Sequence, residues 1–200
     1  MIAAIILAAG ESKRMNDSPK ANLLIGGKTF LTAIVEVMHS AGINRIYVVL
    51  GKDAESIKGK NPNLGVTYVI NKEYQKGQLR SIQAVLEVIP KTIDSLIIHL
   101  VDHPLINVST VQTLVRARQA EKAPIIIPTY RNKRGHPVLF GNEVFKQLME
   151  APMDVGARAV VRDNRDILCE IETEDAGIVV NINTPEDYNR WCNNNTQDIG

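Results

Sequence analysis

The residues of this chain that could do chemistry fall in a few short stretches, and the first has the composition of a phosphate site. The apolar run Ile2 to Leu7 ends abruptly in Ala8-Ala9-Gly10, and Ser12, Lys13, Arg14 and Lys20 follow. An apolar, β-branched run of this kind reads as a strand buried on both faces. Small residues then let the backbone turn closely, and backbone N–H groups with nearby cations hold phosphate. The same residues also suit an ordinary tight turn followed by a solvated basic loop. A second stretch is Asp102-His103-Pro104, which follows the apolar run Ser95 to Val101. A carboxylate at a strand end beside a phosphate loop would meet Mg²⁺, which takes one or two carboxylates plus phosphate oxygens and water. The alternative is an Asp that caps the turn before the next helix.

Two further stretches offer polar groups. Gly77, Gln78 and Ser81 open an amphipathic pattern, where the orphan N–H groups of a helix start point outward. They could contact a ligand, or the Ser could simply face water. Arg134-Gly135-His136-Pro137 lies close to Arg131 and Lys133. That basic turn could hold the phosphate or ring system of an anionic acceptor, or form a solvated hairpin. No obvious Ser-His-Asp or Cys-His set is present.

The elements that must position these residues alternate. Phe30, Leu31, Ile34, Val37, Met38 and Ala41 share one helical face, with Thr29 as N-cap and Gly42 as stop. Arg45 to Leu50, Val66 to Ile70, Ser95 to Val101 and Ala123 to Pro128 read as strands. Residues 53–58, 77–89 and 107–121 read as helices, the second stopped by Pro90. Thr184, Pro185 and Asp187 spell a capping box with Pro at the first helical position. The alternation predicts an α/β fold with a mostly parallel sheet and helices on both faces. In such sheets ligands bind beyond the carboxyl ends of the strands, so the loops after Leu7 and Val101 should be neighbours.

Composition narrows the function classes. Two hundred residues suit one domain over 1–200, with a frayed tail from about residue 193. A formal charge of +1, scattered basic residues and only three Phe and one Trp argue against a nucleic-acid or anionic-membrane partner. The run Ile2 to Ala9 is too short to span a bilayer, and no basic residue precedes it as in a signal peptide. Cys169 and Cys192 have no metal-site spacing and read as reduced packing residues of a cytoplasmic protein.

Leu7-Ala8-Ala9-Gly10-x-Ser12-x-Arg14-Met15-x₄-Lys20 resembles the signature of nucleotidyltransferases with a Rossmann-like fold, most closely the molybdenum cofactor cytidylyltransferase family. The resemblance extends to Tyr74–Ser81, to Asp102-x-Pro104, to Arg134–Phe140 and to Asp154-Val155-Gly156-Ala157-Arg158. It implies a three-layer Rossmann-like sandwich in which Leu7 to Gly10, Ser12, Arg14, Lys20, Gly77, Gln78 and Ser81 bind a nucleoside triphosphate. It implies Mg²⁺ on Asp102 and Asn183, charge stabilisation by Arg14 and Lys20, and acceptor contacts from Arg134 and His136. The implied reaction moves CMP from CTP onto a molybdopterin-type phosphate monoester, with a molybdoenzyme or maturation factor as protein partner. The monoester is already anionic, so no general base is needed. Another nucleotide or acceptor, such as GTP or a sugar phosphate, or a binding protein without turnover, fits the same residues. Two departures stand out. Asn16 replaces the usual Gly after Met15, and Asn181-Ile182-Asn183-Thr184-Pro185 replaces Asp-Ile-Asp-Thr-Pro, which removes one negative charge from the metal site.

Overall fold

The computed structural model describes residues 1–10 and 18–193. The phosphate-loop residues Ser12 and Arg14, and all but the first residue of the expected frayed tail, lie outside them. Ten strands and seven helices follow in order among the described residues: β1 (Ile2–Ala8), β2 (Leu24–Ile25), β3 (Lys28–Thr29), α1 (Phe30–Ser40), β4 (Ile46–Leu50), α2 (Ala54–Lys60), β5 (Thr67–Ile70), α3 (Gln78–Leu86), β6 (Ser95–Leu100), α4 (Val108–Glu121), β7 (Ile125–Tyr130), β8 (Lys133–Arg134), β9 (Val138–Gly141), α5 (Phe145–Glu150), α6 (Ala157–Asp163), β10 (Leu168–Glu172) and α7 (Pro185–Tyr188).

The central sheet runs β10-β7-β9-β6-β1-β4-β5, with β8 added to β7. β1 pairs in parallel with both β4 and β6, and β10 pairs in parallel with β7. The one long antiparallel member is β9, wedged between β6 and β7. β1 explains the three layers by itself. Ala4, Ile6 and Ala8 enter a core with α1, α2 and α4, while Ala3, Ile5, Leu7 and the following Ala9 enter a second core with α3, α5 and α6. A strand buried on both faces cannot alternate apolar and polar residues, which is why its sequence is apolar throughout.

Local signals were obeyed where they were strong. The Thr29 hydroxyl accepts from the Thr32 N–H at 3.0 Å, and Thr184 with Asp187 forms the full capping box. The pattern over 77–89 stops being helical at Leu86, and Val88 is exposed. Before α1 the chain forms a β2–β3 hairpin whose two turn glycines, Gly26 and Gly27, sit at φ +55° and +79°. The two cysteines are free and pack against the core. No helix among the described residues is long and apolar enough to cross a membrane.

Candidate active site

The chain lays β1, β4 and β5 outward in one direction and then returns to place β6 on the other flank of β1. That reversal opens a crevice beyond the carboxyl ends of β1 and β6, the place where open α/β sheets bind ligands. The Val101 N–H donates to the Leu7 carbonyl at 3.2 Å, so the two expected loops are neighbours. A cavity of about 180 Å³ lies there, walled by Leu7, Ala8, Ala9 and Gly10 from the first loop. Lys20, Gly77, Gln78, Ser81 and Asp102 complete its wall. Every described residue expected to touch nucleotide therefore reaches one cleft.

Two glycines shape this cleft in different ways. Gly77 sits at φ +97°, a conformation that favours glycine, and an added Cβ there would meet no protein atom within 4 Å, so its side stays open to the cleft. Close approach is the business of Gly51, at the end of β4. A Cβ there would lie 2.7 Å from the Ala9 carbonyl oxygen and 3.0 Å from the Tyr74 ring. Nothing local in the sequence says which backbone Gly51 faces. Ser81 is only 3% exposed, and its hydroxyl accepts from the Asn71 amide at 3.0 Å. Its own O–H is what remains for a ligand.

Lys20 joins the polar end of the cleft together. Its ammonium donates to Asp102 Oδ2 at 3.0 Å and to Asn183 Oδ1 at 2.5 Å. Asn183 is aimed by its backbone: the Ile182 N–H donates to the Asp102 carbonyl at 2.8 Å, and the N–H groups of Asn183 and Thr184 both donate to Asp187 Oδ2 at 3.0 Å. These bonds hold the Asp187 carboxyl below its ordinary value. The capping alternative for Asp102 is not realised by its side chain. Its Oδ1 is buried without a hydrogen-bond partner among the described residues. An unpartnered buried carboxylate oxygen beside an amide oxygen is a donor set that fits a hard divalent cation. Among the described residues no cluster of three His, Cys, Asp or Glu is close enough to hold an ion alone. A cation here would draw its remaining ligands from substrate phosphate and water.

Behind Asp102 sit three imidazoles that the sequence scattered. His103 and His136 have ring centroids 5.1 Å apart, and His99 lies 6.3 Å and 6.5 Å from them. His99 Nε2–H donates to the His103 carbonyl at 2.9 Å, and the Nδ1 atoms of all three are buried without hydrogen-bond partners among the described residues. Burial pushes all three pKa values down, that of His136 to about 4. His103 is 6% exposed and packs behind Asp102, lining neither cavity.

Arg134 and His136 border a second cavity of about 820 Å³, which shares Leu7, Gln78 and Leu100 with the first. The basic hairpin exists: β8 pairs with β7 across Arg131 and Asn132, both at positive φ. Arg134 is already engaged by Glu170, 2.8 Å from its Nε. Arg158, Arg162 and Arg165 also border this cavity. Of these, only Arg158 lay in a stretch singled out from the sequence.

Residues 4–168 match the MobA-like NTP transferase domain. The chain belongs to that family. This MobA-like chain is 34% identical over 192 residues to the bifunctional protein GlmU of Legionella pneumophila strain Philadelphia 1, covering 94% of this chain but 37% of that protein. It thus spans little more than a third of the length of that relative. It is 26% identical to the nicotine blue oxidoreductase of Paenarthrobacter nicotinovorans, over 94% of this chain and 95% of that protein. In fold it resembles crystal structures of Rv0371c from Mycobacterium tuberculosis H37Rv. One has a TM-score of 0.85 and 24% identity over 96% of this chain and 97% of that one. A manganese complex of the same protein has a TM-score of 0.79 and 25% identity over 96% and 98%.

Proposed function

We propose that this MobA-like chain transfers a nucleoside monophosphate, CMP from CTP, onto a phosphate monoester of molybdopterin type. The observation that carries the reading is that Lys20 and Asp102 line one cleft, with Asn183 bonded to the same ammonium, and that this cleft continues into a larger, acceptor-sized cavity. The triphosphate lies along Leu7 to Gly10 and the start of α3. Lys20 turns its ammonium onto the phosphates, where a preorganised cation lowers the energy of developing charge. Asp102 and Asn183 would hold a divalent cation, Mg²⁺ in our reading, and that ion would neutralise phosphate charge as a Lewis acid. The manganese complex of Rv0371c supports a divalent ion in this fold.

The acceptor's phosphate oxygen attacks the α-phosphorus in line. A new O–P bond forms, the bond to the β-phosphate oxygen breaks, and pyrophosphate carries the electron pair away. The nucleophile is an anion at neutral pH, so the histidines behind Asp102 have no proton to take. Their burial keeps them neutral, which spares the site a competing positive charge. The contribution of the chain is positioning and charge.

The test is release of pyrophosphate from CTP, GTP, UTP and ATP with Mg²⁺ and a panel of phosphate acceptors. CTP with a molybdopterin-type acceptor should be the productive pair. Nucleotide binding without turnover on any acceptor would refute the transfer reading. The full-length likeness to nicotine blue oxidoreductase motivates one second reading, a redox use of the same cleft. Oxidation of a nicotinamide dinucleotide, absent in the first reading, would reveal it.

A further inference from the structure

The larger cavity is divided in its chemistry. Its floor is apolar, formed by Leu79 and Ile82 of α3, Ile98 of β6, Ile127 of β7, and Val138 and Phe140 of β9. Its rim is cationic, carrying Arg134, Arg158, Arg162 and Arg165, with Asp154 as the only carboxylate among its lining residues. These arginines are not equivalent. Arg134 is held by Glu170, and the Nε of Arg162 lies 2.9 Å from Asp163. Among the described residues the side chains of Arg158 and Arg165 make no hydrogen bond, ion pair or ring contact. They project from α6 and the turn that follows it, and neither lines the nucleotide cleft.

A floor of this kind discriminates between acceptors. A hexose phosphate would bring several hydroxyls against aliphatic side chains, and each hydroxyl left unpaired loses binding. An apolar or heteroaromatic body loses nothing there and gains from the area it removes from water. The acceptor's reacting phosphate must lie toward Leu7, Gln78 and Leu100, where the two cavities join. Two arginines whose side chains have no partner among the described residues then wait on the α6 side of the cavity.

We propose that Arg158 and Arg165 form a second anion site in the acceptor cavity. The acceptor is then an amphiphile: a reacting phosphate, an apolar or heteroaromatic body, and an anionic group away from the transferred nucleotide. This rests on the nucleotidyl-transfer reading and names the class of its acceptor. Both arginines are exposed, so their pairing with an anion is screened by water, and the lower end of charge-assisted bonding applies, about tenfold in affinity for the pair.

The experiment is calorimetry on the whole chain with three probes: 1-naphthyl phosphate, the same molecule bearing a 4-sulfonate, and glucose 1-phosphate. The sulfonated naphthyl phosphate should bind about tenfold more tightly than the plain one, and glucose 1-phosphate more weakly than either. The joint variant Arg158→Ala with Arg165→Ala should erase the sulfonate's advantage while leaving CTP binding unchanged, which also reports that it is folded. Arg158→Lys with Arg165→Lys should restore part of it. Equal affinity of the two naphthyl probes, an advantage that survives in the alanine variant, or glucose 1-phosphate binding as tightly as the naphthyl probes, would overturn the proposal. CTP titrated in the same samples keeps the outcomes separate. A chain that binds the probes as expected but neither binds nor turns over CTP would refute the transfer reading and leave the anion site standing.

Discussion

Replacing Lys20 by Met should do two opposite things to this protein. In the structure the ammonium donates to the Asn183 oxygen that we assign to a divalent cation and to Asp102 Oδ2, on the same carboxylate as the oxygen assigned to that cation. Two unit charges 4 Å apart repel by about 4 kcal/mol at an effective dielectric of 20, and a divalent ion doubles that. Swinging the lysine out costs less, because charge-assisted hydrogen bonds of this kind are worth about 1.5–3 kcal/mol. The smaller cost decides the outcome: the ammonium yields its place when the ion enters, and the triphosphate gives it a new partner. Lys20→Met keeps the apolar stem and removes the competitor. Metal affinity without nucleotide should therefore rise by about tenfold to a hundredfold, since about 1.4 kcal/mol is worth a factor of ten. Turnover should fall by about 10²–10³, the cost of one lost stabiliser of transition-state charge. Mn²⁺ titration followed by electron paramagnetic resonance reads the first effect, and pyrophosphate release reads the second. A variant in which metal affinity and turnover fall together would refute the reasoning, because Lys20 would then be merely structural.

Other outcomes follow from the same geometry. Asp102→Ala should abolish metal-dependent turnover yet shift the thermal midpoint by only a few degrees; a variant that unfolds, or that stays active, would return Asp102 to a structural role. Ala9 lines the candidate nucleotide cleft, and we propose that its methyl group takes the room a purine would need. CTP should be preferred to GTP by about tenfold to two-hundredfold, and Ala9→Gly should narrow that ratio of kcat/KM mainly by admitting GTP. Burial holds the His136 pKa at about 4, against 6.5 when exposed. Its share of stability is thus complete above pH 6.5 and is lost as pH falls toward 4, by about 3 kcal/mol in all. Urea unfolding between pH 7 and 4.5 should show a shallower decline in His136→Asn, and equal slopes would refute the buried neutral imidazole.

Much of the candidate nucleotide cleft was legible because its residues lie just past element ends. Ala8 to Gly10 follow a run that can only be a doubly buried strand, and Asp102 follows another. Gly77 and Gln78 precede an amphipathic pattern of helical period. Each of these is a short-range fact, and the parallel sheet then carries the strand ends to one edge. Glycine was harder to read. The role of Gly77 is a dihedral angle and that of Gly51 is a contact, and one-letter sequence does not separate the two. The hairpin at Leu24–Thr29 hid because its strands are two residues each, too short for any period to register.

The chain between residues 141 and 172 yielded least, and there the cavity acquires its cations. Its helices α5 and α6 have six and seven residues, and their faces are set by what they cover, not by their own pattern. By itself the sequence determined the layers, the caps at Thr29 and Thr184, and the small-residue turn after β1, because each depends on residues a few positions apart. Only the tertiary structure decided that Lys20 meets Asp102 and Asn183, 82 and 163 positions away. It also gathered His99, His103 and His136, and turned Arg158 and Arg165 toward the cavity floored by β9. Those meetings follow from which strand lies beside which, above all from β9 entering antiparallel between β6 and β7. Strand order is settled by burying the whole apolar surface at once, and no local stretch of residues carries that information.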